Sequence, residues 1–173
     1  DYDKDGDMDL FVASRSYPGE YGMDPQNFMY ENLGPGKFQE VLLSSKSDLA
    51  FVGMITDAVW VNVEGNEVPE LVVIGEWMAP RIFSYNGSKF IEVETNLKTY
   101  NGWWQSITPL DIDKDGDQDL ILGNIGNNGY LQNEKTLPLK LYIKDFDGNG
   151  MPEKILTRTI NDKDMSVVMK REM

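Results

Sequence analysis

The decamer D-x-D-K-D-G-D-x-D-L occurs twice, at Asp1–Leu10 and at Asp111–Leu120, and a weaker relative, D-F-D-G-N-G-M-P-E-K, begins at Asp145. Oxygen-bearing side chains at positions 1, 3, 5 and 9, with glycine at position 6, are what a short loop needs to curl around a hard cation. Ca²⁺ takes about six to eight oxygen ligands at about 2.3–2.6 Å. Each strong loop packs five carboxylates into nine residues, and these repel one another unless a cation sits among them. The chemistry suggested is the binding of a metal ion.

Two loop types compete for this pattern and both fail. An EF-hand needs Glu at position 12, where this chain has Val12, Leu122 and Leu156, and it needs flanking helices. Glycine-rich parallel β-helix repeats recur every few residues, whereas these loops lie tens of residues apart. A shift of 49 residues lays Gly53-Met54-Ile55 on Gly102-Trp103-Trp104, and Asn62, Glu64, Asn66 and Glu70 on Asp111, Asp113, Asp115 and Asp119. A fourth, decayed copy is thereby exposed at Asn62–Leu71. The copies start at residues 1, 62, 111 and 145, at intervals of 61, 49 and 34, a mean of about 48 that matches a four-stranded propeller blade.

Around the loops, the chain must supply elements that hold them. Short apolar runs follow each loop: Leu10-Phe11-Val12, Leu71-Val72-Val73-Ile74 and Leu120-Ile121-Leu122, rich in β-formers. Phe28–Asn32 and Arg81–Tyr85 come next, leading into the turns Gly34-Pro35-Gly36 and Asn86-Gly87. Lys37–Val41 and Lys89–Val93 alternate as half-buried strands do. Each unit reads as strand, acidic loop, strand, turn, strand, turn, strand. The first interval carries a Tyr/Gly/Pro-rich insertion at Ser16–Pro25, expected as an exposed loop. In the third, the Gly/Asn-rich stretch Asn124–Pro138 replaces the outer hairpin. The expectation is an all-β chain of four-stranded antiparallel blades, a single partial β-propeller over residues 1–173 with about three and a half blades.

Composition narrows the function. The chain has 173 residues, 40% of them hydrophobic, enough for a core and too many for disorder. Its net charge of −13 is concentrated, since the four loops hold 16 of the 29 acidic residues; metal sites explain the acidity better than a smeared surface does. The low pI and the absence of a basic stripe exclude nucleic acid as a partner. Cysteine and histidine are both absent, which removes disulfides, thiolate nucleophiles, Ser-His-Asp chemistry and His-ligated transition metals. No run of apolar residues reaches membrane-spanning length. The chain opens on a presumptive ligand and ends at Lys170–Met173 with no terminating element, so it reads as a piece of a longer polypeptide whose remaining blades are one expected partner.

The loops, their strand flanks and their spacing resemble the FG-GAP/VCBS repeats of integrin α-subunit-like β-propellers, over essentially the whole chain. Gly75-Glu76-Trp77-Met78 and Gly102–Ile107 are further similar to bacterial, exported VCBS-repeat proteins related to cartilage acidic protein. The resemblance implies Ca²⁺ bound by the side chains of Asp1, Asp3, Asp5 and Asp9 with the carbonyl of Asp7. It implies the same for Asp111, Asp113, Asp115 and Asp119 with the carbonyl of Asp117. In the last loop it implies Asp145, Asp147, Asn149 and Glu153 with the carbonyl of Met151. The second copy, with Glu67 where glycine belongs and Val68 at position 7, is expected to bind nothing. The function implied is a non-catalytic module of an extracellular, cell-surface or periplasmic protein. Its metal is structural, and it serves as a scaffold or as a recognition or adhesion surface toward a protein or glycan.

The remaining side chains offer less. Trp60, Trp77, Trp103 and Trp104 form either a sugar-stacking platform or packing between blades; the alignment of Trp103 and Trp104 with Met54 and Ile55 favours packing. Tyr17 and Tyr21, on the insertion, are candidates for surface recognition. Thirteen carboxylates lie outside the loops, among them Glu20, Asp24, Asp57, Glu76 and Asp162, and a pair of them is what glycoside hydrolysis uses. That keeps a fragment of a carbohydrate-active enzyme, a lyase or hydrolase, or a carbohydrate-binding module, as the alternative. It requires Arg, Lys, Tyr or carboxylates clustered at one end of the blades, away from the metal.

Overall fold

The computed structural model describes residues 1–43, 46–66, 68–129, 131 and 138–167. The chain is all-β, with strands β1 (Leu10–Val12), β2 (Phe28–Asn32), β3 (Phe38–Glu40), β4 (Met54–Val61), β5 (Glu70–Met78) and β6 (Arg81–Tyr85). These are followed by β7 (Phe90–Glu92), β8 (Gly102–Leu110), β9 (Asp119–Asn124), β10 (Leu139–Lys144), β11 (Glu153–Ile160) and β12 (Lys163–Ser166). Helix is confined, among the described residues, to the 3-10 turns Asp48–Phe51 and Asn96–Thr99. All strand pairs are antiparallel between chain neighbours, except that β5 also pairs with β8.

Each complete acidic loop closes one hairpin. The second copy joins β4 to β5, the third joins β8 to β9, and the fourth joins β10 to β11; the first leads into β1. Among the described residues, only one unit, β4–β5–β6–β7, has all four strands expected of every blade. The first sheet is β1–β2–β3, the last is β10–β11–β12, and β8–β9 form a two-stranded hairpin against the edge of β5. Among the described residues after β9, 125–129 carry no strand, only turn and bend. Ser44, Ser45, Glu67, the rest of the Asn124–Pro138 stretch and the Lys170–Met173 end fall partly or wholly outside the described residues.

β5 explains how the layers stack. Alternate residues of a strand face opposite sides, and here both sides are buried: Leu71 and Val73 join one apolar cluster, Val72 and Ile74 another. The first cluster brings in Met29, Leu42, Leu49 and Phe83, so it lies between the β1–β3 and β4–β7 sheets. The second brings in Ile82 and Ile107 with Leu120 and Leu122, so it lies between the β4–β7 sheet and the β8–β9 hairpin. A sheet covered on both faces loses the polar alternation of a half-exposed one, which is why Leu71–Ile74 reads as a continuous apolar run.

Register along the inner strands is corrected by a repeated bulge. β4 slips by one residue against β5 between Ile55 and Asp57, and β8 slips against β9 between Trp104 and Ser106. These positions are 49 residues apart, so the bulge belongs to the repeat. It lets Ile55 on one side of the slip and Ala58 and Trp60 on the other serve the same cluster. The bulged Thr56 hydroxyl donates to the carbonyl of Trp104 at 2.8 Å, and Asp57 accepts the backbone N–H of Ile107 at 2.9 Å. Adjacent inner strands are thereby tied together.

Candidate metal centre

The four loops share one hydrogen-bonded frame, numbered from the first ligand. The position-5 side chain accepts the N–H of position 7 in every copy: Asp5 from Asp7 (2.9 Å), Asn66 from Val68 (2.7 Å), Asp115 from Asp117 (3.0 Å) and Asn149 from Met151 (2.8 Å). Position 3 accepts from position 5 in three copies, at Asp3, Asp113 and Asp147. Asp111 accepts from Lys114 and Gly116, and Asp145 from Gly148, Asn149 and Gly150. These N–H donors, that of Gly150 foremost, hold the Asp145 carboxyl below the ordinary carboxylate value. Short acids that bond their own backbone two residues on are what let so tight a loop form.

Position 9 has a role that spacing alone did not reveal. Its acid accepts the N–H of position 2 in all four copies: Asp9 from Tyr2 (3.1 Å), Glu70 from Val63 (2.8 Å), Asp119 from Ile112 (2.9 Å) and Glu153 from Phe146 (2.6 Å). Asp9 also takes the N–H of Asn32 on its second oxygen at 2.9 Å. The decayed loop keeps this clamp, with Glu70 only 1% exposed. Position 4 is the second unforeseen feature. Lys4 (φ 65°), Gly65 (72°), Lys114 (64°) and Gly148 (77°) all lie in the left-handed region there, where side chains other than glycine are disfavoured. Glycine at that position in two of the four copies was the available signal.

Three loops gather carboxylates as expected. One oxygen each from Asp1, Asp3 and Asp5 lie within 4.8 Å of one another, as do those from Asp111, Asp113 and Asp115, and from Asp145, Asp147 and Glu153. Oxygens bound to one Ca²⁺ at about 2.3–2.6 Å lie at most about 5 Å apart, so the donor sets fit that ion in kind and spacing. Asp9 and Asp119 stand outside these groups and are engaged by backbone N–H donors, while Asp7 and Asp117 are exposed. Asn149 donates to Asp147 at 3.0 Å, beside the third group. The Glu67 departure lies outside the described residues.

A second constellation lies at the other end of β5. Glu76, 6% exposed, accepts from Arg15 (2.7 Å to Nη2), Tyr21 (2.7 Å) and Gln105 (3.3 Å), and Trp77 Nε1 donates to Tyr21 Oη at 2.9 Å. Burial alone pushes the Glu76 carboxyl up, but the bonds from Tyr21, Arg15 and Gln105 outweigh it and hold the group below its ordinary value. Burial and then the Glu76 bond push the Tyr21 hydroxyl up to about 12. The insertion is therefore anchored on β5, a correction to its reading as an exposed loop: Tyr17 is open, but Tyr21 is half-buried. On its far side the Lys154 ammonium donates to the carbonyl of Gly19 at 2.8 Å, and Gly22 packs on Leu141 and Ile143. The tryptophans divide. Trp60 and Trp104 pack on the two clusters, whereas Trp77 and Trp103 meet edge to face, centroids 5.1 Å apart.

Among known proteins, residues 55–122 match the model of the FG-GAP-like repeat. The match opens inside β4, covers the second loop and the β5–β7 strands, and ends in β9 after the third loop. It supports the repeat family and leaves the narrower bacterial relationship without a counterpart, since no curated protein and no solved structure matches the chain. No helix among the described residues is long and apolar enough to cross a membrane.

Proposed function

Taking residues 55–122 as an FG-GAP-like repeat, we propose that the chain is a non-catalytic, calcium-binding module of β-propeller type, carried by an exported or cell-surface protein. It acts as a scaffold or recognition surface, and its metal is structural. The observation that carries this reading is the recurrence of one hydrogen-bonded loop, three times with a convergent carboxylate triad. Asp1, Asp3 and Asp5, then Asp111, Asp113 and Asp115, then Asp145, Asp147 and Glu153 would hold the ion. Bound calcium cancels the repulsion among those carboxylates. Because it binds the folded hairpin and not the open chain, it stabilises the fold by mass action at the millimolar calcium found outside cells. Every ligand in a group belongs to one local loop, which favours a structural role. Calorimetry in calcium and in EDTA tests this: the melting temperature rises with calcium, and an unchanged melting temperature sinks the reading.

A fragment of a carbohydrate-active enzyme is the second reading, favoured by the cluster of Arg15, Tyr21 and Glu76 away from the loops. The protonation of these groups counts against it. A carboxyl held below its ordinary value and a phenol raised to about 12 make a poor acid and a poor base near neutral pH, and both Glu76 oxygens are already bonded. A polysaccharide-degradation assay separates the two, turnover favouring the enzyme.

A further inference from the structure

Two clefts, of about 400 Å³ and about 410 Å³, meet at Trp77, which lines both. They lie at the end of β5 away from the second acidic loop, about 20 Å along the strand from Glu70 at the usual rise per residue. Trp77 has φ 61° within a strand, at the point where the β5–β8 register shifts. A bulky side chain in the left-handed region is costly and is retained where surroundings over-determine it, and bulges re-aim side chains next to sites. Here the bond to Tyr21 and the edge contact with Trp103 fix the ring.

The first cleft has the more telling wall: Trp77, Trp103, Asn101 and Asn124, closed by Gly102 and Gly126. Its described lining carries no ionised group, in a chain of net charge −13. The Asn124 carboxamide is held in place. Its Oδ1 accepts the N–H of Gly126 at 2.8 Å, and its Nδ2 lies where a Cβ on Gly102 would come within 2.3 Å. Among the described residues, neither Asn124 Nδ2 nor Trp103 Nε1 has an acceptor. The wall therefore combines two indoles with N–H donors that have no acceptor.

We propose that this cleft binds a neutral saccharide, with an apolar sugar face against Trp77 and Trp103 and hydroxyl oxygens accepting from Asn124 and the Trp103 indole. The proposal rests on the reading of the module as a recognition surface and is independent of its metal. Among the described residues, an anionic ligand finds no cation on this wall. Among them a cationic one finds no open carboxylate either, since the nearby Glu76 is bonded by Arg15, Tyr21 and Gln105. The volume lies within the range of small-molecule sites.

The test follows the indole N–H resonances of the calcium-loaded full chain by NMR during titration with cellobiose, maltose, lactose and chitobiose. The Trp103 signal is expected to shift with at least one of them below about 10 mM. Trp103→Ala and Asn124→Ala are each expected to weaken binding by about tenfold or more, the second leaving the indole packing intact. No shift with any of the four, unchanged binding by both variants, or preference for an acidic disaccharide such as digalacturonate overturns the proposal. Melting of the same samples in calcium and EDTA reports the metal reading separately. Saccharide failure with calcium stabilisation sinks only the cleft, and saccharide binding without calcium stabilisation sinks only the metal.

Discussion

In the first and third loops two kinds of acid coexist, and they respond differently to substitution. Position 5 accepts one backbone N–H and contributes to a carboxylate triad, so Asp115→Asn keeps the bond through its amide oxygen. The expected outcome is unchanged or slightly raised stability in EDTA and a smaller gain on adding calcium, measured by urea denaturation in both. Position 9 clamps the start of the loop. Glu70→Ala strips a nearly inaccessible acceptor from the N–H groups of Val63 and Glu64 and is expected to cost about 2–3 kcal/mol with or without calcium. A purely metal-dependent loss would refute the clamp. The carboxylate clusters were legible because they are written in side-chain type. The clamp and the left-handed Lys4 and Lys114 were not, because a carboxylate at position 9 serves metal or backbone with the same letter.

The strands were read nearly in place, Phe28–Asn32 and Arg81–Tyr85 to the residue, because alternation and turn residues are local properties. The bulges at Thr56 and Gln105 were invisible, since a slip is defined by the partner strand. Their cost is concentrated at Gly75, opposite Ile55, where a Cβ would stand 2.1 Å from the Met54 carbonyl oxygen. That neighbour is backbone and cannot step aside. Gly75→Ala is expected to lose about 3 kcal/mol, read as a fall in urea midpoint, and a neutral result would show that β4 can move. Phe83→Ala, with no exposed surface in the native fold, is expected to lose about 3–5 kcal/mol by emptying the cluster between the first two sheets.

Across the whole molecule, stability is shared between the acidic loops, proposed to respond to calcium, and the Glu76 network at the end of β5 away from the second loop. Glu76 has a folded value below its ordinary 4.5, so its contribution is complete above that value and is lost as pH falls through the folded one. Wild type is expected to lose urea stability below pH 4.5 more steeply than Glu76→Gln, with EDTA present throughout; parallel curves would remove the network from the account. The layout of sheets was only partly legible, because nothing local announces that Ser16–Pro25 reaches both β5 and the last sheet. That reach has a kinetic consequence. Lys154 and Gly19 are 135 residues apart and Arg15 and Glu76 are 61 apart, whereas every acidic hairpin closes over a few residues. Distant contacts wait on the loop-closure entropy that neighbours escape, so the hairpins assemble first and the insertion is the last piece to dock. A contact absent from the transition state governs escape from the native state. Gly22→Val, which drives a side chain into Ile143 at φ 98°, should therefore hasten unfolding in stopped-flow jumps while leaving the refolding rate nearly untouched.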